Sequence, residues 1–295
     1  MRPADIGRLV ALAAIWGASF VFIRTLAPVL GPLLTAASRV LIAGAALVVY
    51  LRATGFDADV RTHWRHYLVI GVVNSALPFV LYAFAGLHIP ASYSVIMNAM
   101  TPLFAALLSV AFLADRLTPR KTAGLAAGAL GVALVSKAGP VVPDAMFAWS
   151  ILACLAAAFC YAVAGVYIKR RAVGVKPVAI AAWSQVFAGL VLLPLLPFGA
   201  PPQPIDAGVV GNVLGLALLC SAIAYILYYR LIVDIGPTRA MTVTFLMPLF
   251  GMLWGALFLG ELITAPMLAG CALIIGGSVW VLRAPALGIA ARRGG

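Results

Sequence analysis

Ser75, Phe79 and Tyr82 are spaced i, i+4 and i+7, and Ser221, Tyr225 and Tyr228 repeat that spacing. On an α-helix these positions share a face. Both trios lie in apolar runs, where a phenol hydroxyl must find a polar partner or a wet cavity. Two such faces would offer hydroxyls and rings to a small organic molecule; packing between helices is the alternative role. Trp16, Ser19, Tyr161, Trp183 and Gln185 are further candidates in other apolar runs. Gln185 is costly in hydrocarbon unless it faces protein or water, so it lines a cavity or bonds a neighbouring helix. Arg39 stands about seven residues into its run. At that depth it could attract a substrate carboxylate or hold nearby carbonyls, whereas Arg24, nearer a run end, is expected to reach lipid headgroups. Pro102 and Pro248 each lack an N–H and crowd the carbonyl four residues back, freeing polar groups of Asn98 and Thr244. The two prolines are expected as hinges or cavity walls, with simple packing kinks as the alternative, and Asn98 and Thr244 join the binding candidates.

Other chemistry is poorly supplied. His63 and His66 fall between apolar runs and His88 at the end of one, so no catalytic or metal-binding cluster assembles and no cofactor is expected. No Asp or Glu lies mid-run. A device that exchanges protons for hydrophobic cations through a buried carboxylate therefore has no residue to use, and neutral or zwitterionic ligands fit better. Asp115 and Glu261 close two runs and are expected to cap the runs that follow. Cys154, Cys160, Cys220 and Cys271 all sit in apolar runs, as small hydrophobes rather than disulfide partners.

The elements that must position these residues follow from composition. The chain has 295 residues, 64% hydrophobic and 9% charged, with mean hydropathy +1.11. Too little polar surface exists to cover a water-soluble globule, so lipid is the expected solvent. The net charge of +12 forms no basic stripe with interleaved aromatics, which argues against nucleic acid. Ten runs approach the roughly 17–25 residues of a spanning helix: Ile6–Ala27, Leu33–Leu51, Tyr67–Leu87, Ala91–Ala114, Thr118–Ser136, Met146–Ile168, Pro177–Pro197, Gly208–Tyr229, Pro237–Leu259 and Thr264–Leu282. With the N-terminus inside, 17 of the 20 Lys and Arg residues fall in cytoplasmic segments, leaving Arg24, Arg39 and Lys137. The expected fold is an all-α membrane protein with ten transmembrane helices and both termini cytoplasmic.

A shift of 145–146 residues superposes the chain on itself. Pro32 meets Pro177, Gly44 meets Gly189, Ser75-Ala76 meets Ser221-Ala222, Pro102-Leu103-Phe104 meets Pro248-Leu249-Phe250, and Asp115 meets Glu261. Each half holds five spans, an odd number, so the second inserts inverted. The halves are expected at residues 1–138 and 139–295. Gly124, Gly128 and Gly131 in span five and Gly270, Gly276 and Gly277 in span ten would let backbones approach closely, bracing the halves or meeting another protomer. A monomer is expected, with a homodimer as the alternative.

Trp16-Gly17-Ala18-Ser19-Phe20 with Arg24 and Arg39, the Pro102 and Pro248 positions, and the Ala114-Asp115 and Gly260-Glu261 closures resemble the EamA-type halves of the drug/metabolite transporter superfamily. The resemblance covers both halves. Asp115 stands where that family usually has Glu, and Tyr161-Ala162 replaces the Trp-Gly pair in the second half. Length and topology are similar to YddG-type exporters of amino acids and related metabolites. The resemblance implies a secondary transporter, exporting amino acids or similar neutral or zwitterionic metabolites from a bacterial cytoplasm across the inner membrane by alternating access. Export of lipophilic drugs or cations, a passive channel and a lipid flippase are the alternatives.

Overall fold

The computed structural model describes residues 2–113, 115–138, 141, 144–199 and 201–282. Ala114, the Gly139-Pro140 break and the basic tail from Arg283 lie outside them. Every regular element among the described residues is helical. We number the helices α1 (Pro3–Ala53), α2 (Val60–His88), α3 (Ala91–Asn98), α4 (Thr101–Phe112), α5 (Pro119–Ala138), α6 (Ala145–Arg171), α7 (Pro177–Leu192, continued by a 3₁₀ turn over Leu193–Phe198), α8 (Ala207–Ile235), α9 (Pro237–Ala240), α10 (Val243–Leu259) and α11 (Ala265–Leu282). Seven helical stretches are long and apolar enough to cross a membrane: α1, α2, α3 with α4, α6, α7 with its 3₁₀ turn, α8 and α11. The apolar α10 is shorter, at 17 residues.

The first two expected runs form one 51-residue helix. Straight, it would measure roughly 76 Å, more than twice the ~30 Å hydrocarbon core of a bilayer. It breaks at Gly31, whose φ of 75° and ψ of 163° lie outside helical values, between Pro28 and Pro32. The left-handed φ suits glycine, which has no Cβ to clash. The third run starts at Val60, so His63 and His66 lie in the first turns of α2 rather than in a loop. His66 Nδ1 is 2.9 Å from the Tyr167 hydroxyl of α6.

The helices pack through contacts that recur in pairs under the 145–146-residue shift. A Cβ on Gly44 would lie 3.0 Å from the Val186 nitrogen, and one on Gly189 would collide with the Leu41 side chain. Gly44 and Gly189 are repeat partners, as are Leu41 and Val186, so a pseudo-two-fold axis passes between α1 and α7. The same holds at α5 and α11: a Cβ on Gly124 or on Gly131 would come within 2.6 Å of the carbonyl oxygen of Gly277 or of Gly270. At the α5–α11 crossing the added atoms would meet backbone, which leaves room for hydrogen alone.

Charge pairs fix the helix ends. Arg8 of α1 donates to Asp234 of α8 at 2.7 Å. Arg24 donates to the Gly86 carbonyl at 2.6 Å, closing the end of α2 instead of reaching for headgroups. The Asp115 and Glu261 backbones adopt equivalent turns, donating to the carbonyls of the repeat partners Ser109 and Gly255. Their carboxylates part company. Asp115 pairs with Lys121 in the first turn of α5. Glu261 does not cap α11; it accepts from the backbone N–H groups of Ala91 and Ser92 at the start of α3.

Candidate functional site

Between the two halves lies a cavity of about 240 Å³, at the small end of ligand sites, which run from roughly 300 Å³ upward. α1 contributes Trp16, Ser19, Phe20, Ile23 and Arg39; α2 contributes Asn74, Phe79 and Tyr82. Asn98 ends α3 and Thr101 begins α4, while Tyr161 comes from α6 and Tyr225 and Tyr228 from α8. Met241, Thr244 and Met247 complete the wall from α10 and the turn before it.

Ten of the fourteen binding candidates therefore line one cavity: Trp16, Ser19, Arg39, Phe79, Tyr82, Asn98, Tyr161, Tyr225, Tyr228 and Thr244. Four do not. Ser75 and Ser221 are fully buried in helix contacts, because both lie in π-helical turns, Val72–Ala76 and Gly215–Ile223. A π turn inserts an extra residue and rotates what precedes it out of α-helical register. The face of α2 that meets the cavity thus carries Asn74, Phe79 and Tyr82, not Ser75. Gln185 is also fully buried and donates through Nε2 to Ser75 Oγ at 2.9 Å, so it bonds a neighbouring helix. Trp183, two residues away and on a different side of α7, packs against the cluster around Tyr67 and Ile180.

The lining is largely aromatic and internally bonded. Tyr82 donates to Asn98 Oδ1 at 2.9 Å, stacks on Tyr161 at 6.2 Å between ring centroids, and meets the Phe20 edge at 5.2 Å. Trp16 sits 5.2 Å from the Tyr228 ring and 6.3 Å from Tyr225. Among the described residues Arg39 is the one charged side chain in the lining. Its Nε donates to Ser221 Oγ at 2.9 Å, and its guanidinium carbon lies 3.9 Å from the Phe79 ring centroid. Among the described residues no Asp or Glu lines the cavity.

The two prolines sit differently from one another. The helix stops at Asn98 and restarts at Thr101, so Pro102 occupies a first turn where a missing N–H costs nothing. The freed Asn98 carbonyl accepts instead from Thr101 Oγ1 at 2.8 Å. Pro248 lies inside the continuous α10, and the chain is interrupted earlier, at Met241 and Thr242. Six lining residues were not among the candidates. Phe20 and Ile23 continue the Trp16 and Ser19 face at helical spacing, a signal that could have found them. Asn74 and Thr101 are polar in apolar runs, while Met241 and Met247 carry no such mark.

The two halves are packed unequally around the cavity. Val95 of α3 is fully buried and rests against α10, where a Cβ on Gly251 would come 2.6 Å from Val95 Cγ1. The repeat partner of Val95 is Met241, which is 36% exposed and lines the cavity.

A helical membrane protein with an aromatic chamber between two repeated halves has the architecture of a carrier rather than of an enzyme. The chain matches the EamA-like transporter family over residues 6–137 and again over 148–283, and it belongs to that family, within the drug/metabolite transporter superfamily. It is 26% identical to a probable terminal-alkyne amino-acid exporter of Streptantibioticus cattleyicolor, over 93% of this chain and 92% of that protein. It is 26% identical to protein PecM of Dickeya dadantii, over 88% and 86% of the two chains, and 25% identical to the uncharacterized transporter YvbV of Bacillus subtilis, over 90% and 88%. One crystal structure superposes with a TM-score of 0.66 at 20% identity, covering 95% of this chain and 96% of that one, which is a likeness of fold. The protein is a multi-pass membrane transporter.

Proposed function

We propose that this chain is a secondary transporter that exports amino acids or similar small neutral or zwitterionic metabolites across a bacterial inner membrane by alternating access. The observation that carries the reading is the unequal packing of two matched halves around one cavity. Contacts at the pseudo-two-fold axis are made twice, at Gly44–Val186 and Gly189–Leu41. The Val95–Gly251 contact and the Glu261 cap on α3 are made at one end, while Asp115 pairs locally with Lys121 and Met241 faces the cavity. Exchanging the two arrangements between the halves would close the open end and open the closed one.

The topology we infer has ten spans in two inverted halves, residues 1–138 and 139–295, with cytoplasmic termini. The break at Gly31 supports two crossings by α1, the Lys and Arg distribution supports the orientation, and the two family matches support the division. In this orientation the Glu261 end faces outward, so the cavity opens to the cytoplasm, as an exporter awaiting cargo requires. The amino-acid assignment draws support from the aromatic and polar lining and from the exporter named among the relatives. We take the monomer as the working unit, since the cavity is complete within one chain.

Counterflow in proteoliposomes tests the proposal. Vesicles loaded with an unlabelled amino acid should transiently concentrate the labelled one, at a rate that saturates. Linear, non-saturable flux without counterflow identifies a channel and overturns the carrier reading.

A further inference from the structure

Arg39 has five N–H donors, and the structure accounts for one. Nε donates to Ser221 Oγ at 2.9 Å, and the guanidinium plane is held against Phe79, 3.9 Å from its centroid. Among the described residues no carboxylate pairs with Arg39 and no protein acceptor meets its two terminal nitrogens. The side chain is nevertheless only 7% exposed, and what exposure remains is to the cavity it lines. A guanidinium buried without a counter-charge is costly. Ser221 and Phe79 fix its orientation without neutralising it.

We infer that Arg39 is the receptor for a substrate carboxylate, and that the cargo is a monocarboxylate, amino acids included. This rests on the transport reading above and narrows it. The planar fork of a guanidinium matches the two oxygens of a carboxylate, with parallel N–H···O bonds that an ammonium cannot reproduce. Among the described residues the lining carries one fixed positive charge and no negative one, which neutralises a single anionic group; a dianion such as a phosphate ester would remain half-compensated. Elsewhere in the lining Trp16, Tyr225 and Tyr228 bring together aromatic rings and no carboxylate, which suits an α-ammonium or an apolar side chain equally. The carboxylate is therefore the obligatory feature of the ligand, and the rest of the molecule is variable.

The test measures binding and does not depend on turnover. Purified full-length protein in detergent is titrated with the proteinogenic amino acids, each beside its carboxamide and its decarboxylated amine, and thermal unfolding reports binding. The acids should stabilise the protein with affinities roughly ten- to a hundredfold above those of the matched amides and amines, the range of a charge-assisted bidentate contact. Arg39→Gln should abolish that preference. Because the variant loses the Ser221 contact and can fail to fold, Ser221→Ala is run beside it: it leaves the charge in place, so the acid preference should weaken but persist, and Arg39→Lys should behave likewise. Amides or amines that bind as well as acids to the wild type, or an acid preference unchanged in Arg39→Gln, overturn the assignment. Counterflow remains the separate measure of transport, so carrier activity on amides or amines would sink the carboxylate receptor and leave the transporter standing.

Discussion

The Glu261 carboxylate grips the start of α3 through Ala91, whose N–H donates to Oε1 at 2.6 Å, while the adjacent Ser92 N–H donates to Oε2 at 2.9 Å. A carboxylate at a helix N-terminus satisfies orphan donors and meets the positive end of the helix dipole. Here cap and helix are 170 residues apart, so the bond joins the halves as well as ending a helix. Glu261→Ala should release one end of the cavity, at a cost of about 1–2 kcal/mol, and shift the population toward the opposite opening roughly tenfold. A Val95→Cys reporter should react faster with a membrane-impermeant thiol reagent in that background, with Glu261→Gln intermediate. Equal reactivity in all three would show that the cap holds nothing shut.

Gly251 is the seat on which Val95 closes. A methyl group there would meet Val95 Cγ1 at 2.6 Å and Cγ2 at 2.8 Å. Gly251→Ala should cut counterflow at least about tenfold while insertion and yield are retained, the cost of overpacking being roughly 1–3 kcal/mol. Adding Val95→Ala removes the colliding methyls and should recover most of the rate. Failure of the double variant to recover would place the fault elsewhere than in this contact.

Tyr82→Phe deletes the donor to Asn98 Oδ1 without changing the ring packed on Phe20 and Tyr161. An unmade buried hydrogen bond costs about 1–3 kcal/mol, so thermal unfolding should move down by several degrees. Since both residues line the cavity, half-saturation in counterflow should also rise. A stability loss with no change in half-saturation would confine the pair to a structural role.

The Asp115 carboxyl is held below its ordinary 3.8, first by the hydrogen bond from Lys121. Its folded-state pKa lies below its unfolded one, so the bond's contribution is present in full above the ordinary value and disappears as pH falls through the lowered one. Asp115→Asn should unfold a few degrees below wild type near neutral pH, and the gap should close in strong acid. A gap that persists or widens in acid would assign the effect to something other than this ionisation.

How far the site was legible is clearest along α2 and α8. Helical spacing placed Phe79, Tyr82, Tyr225 and Tyr228 on shared faces, and all four line the cavity. The same spacing put Ser75 and Ser221 with them, and there it fails: π turns at Val72–Ala76 and Gly215–Ile223 break the 3.6-residue period, and Asn74 takes the position facing the cavity. Nothing in residue type announces a π turn. Trp183 and Gln185 could not both face one cavity from positions two apart on a helix, a conflict that helical periodicity alone exposes. Glycine pairing was legible as close packing, because Gly124, Gly131, Gly270 and Gly277 stand in matching register. The partner of Glu261 was not, since a cap drawn from 170 residues away leaves no local trace.

The Arg39–Ser221 bond joins an unlike pair across the pseudo-two-fold axis. The 145-residue register sets Arg39 against Ser184, a buried serine whose hydroxyl bonds back to the Ala181 carbonyl. The scaffold is near-symmetric, but among the described lining residues the first half alone contributes a charge, Arg39. In the alternating-access cycle we propose, cargo anchored at Arg39 would keep one heading throughout: the walls would exchange roles around it, and the molecule itself would never need to tumble.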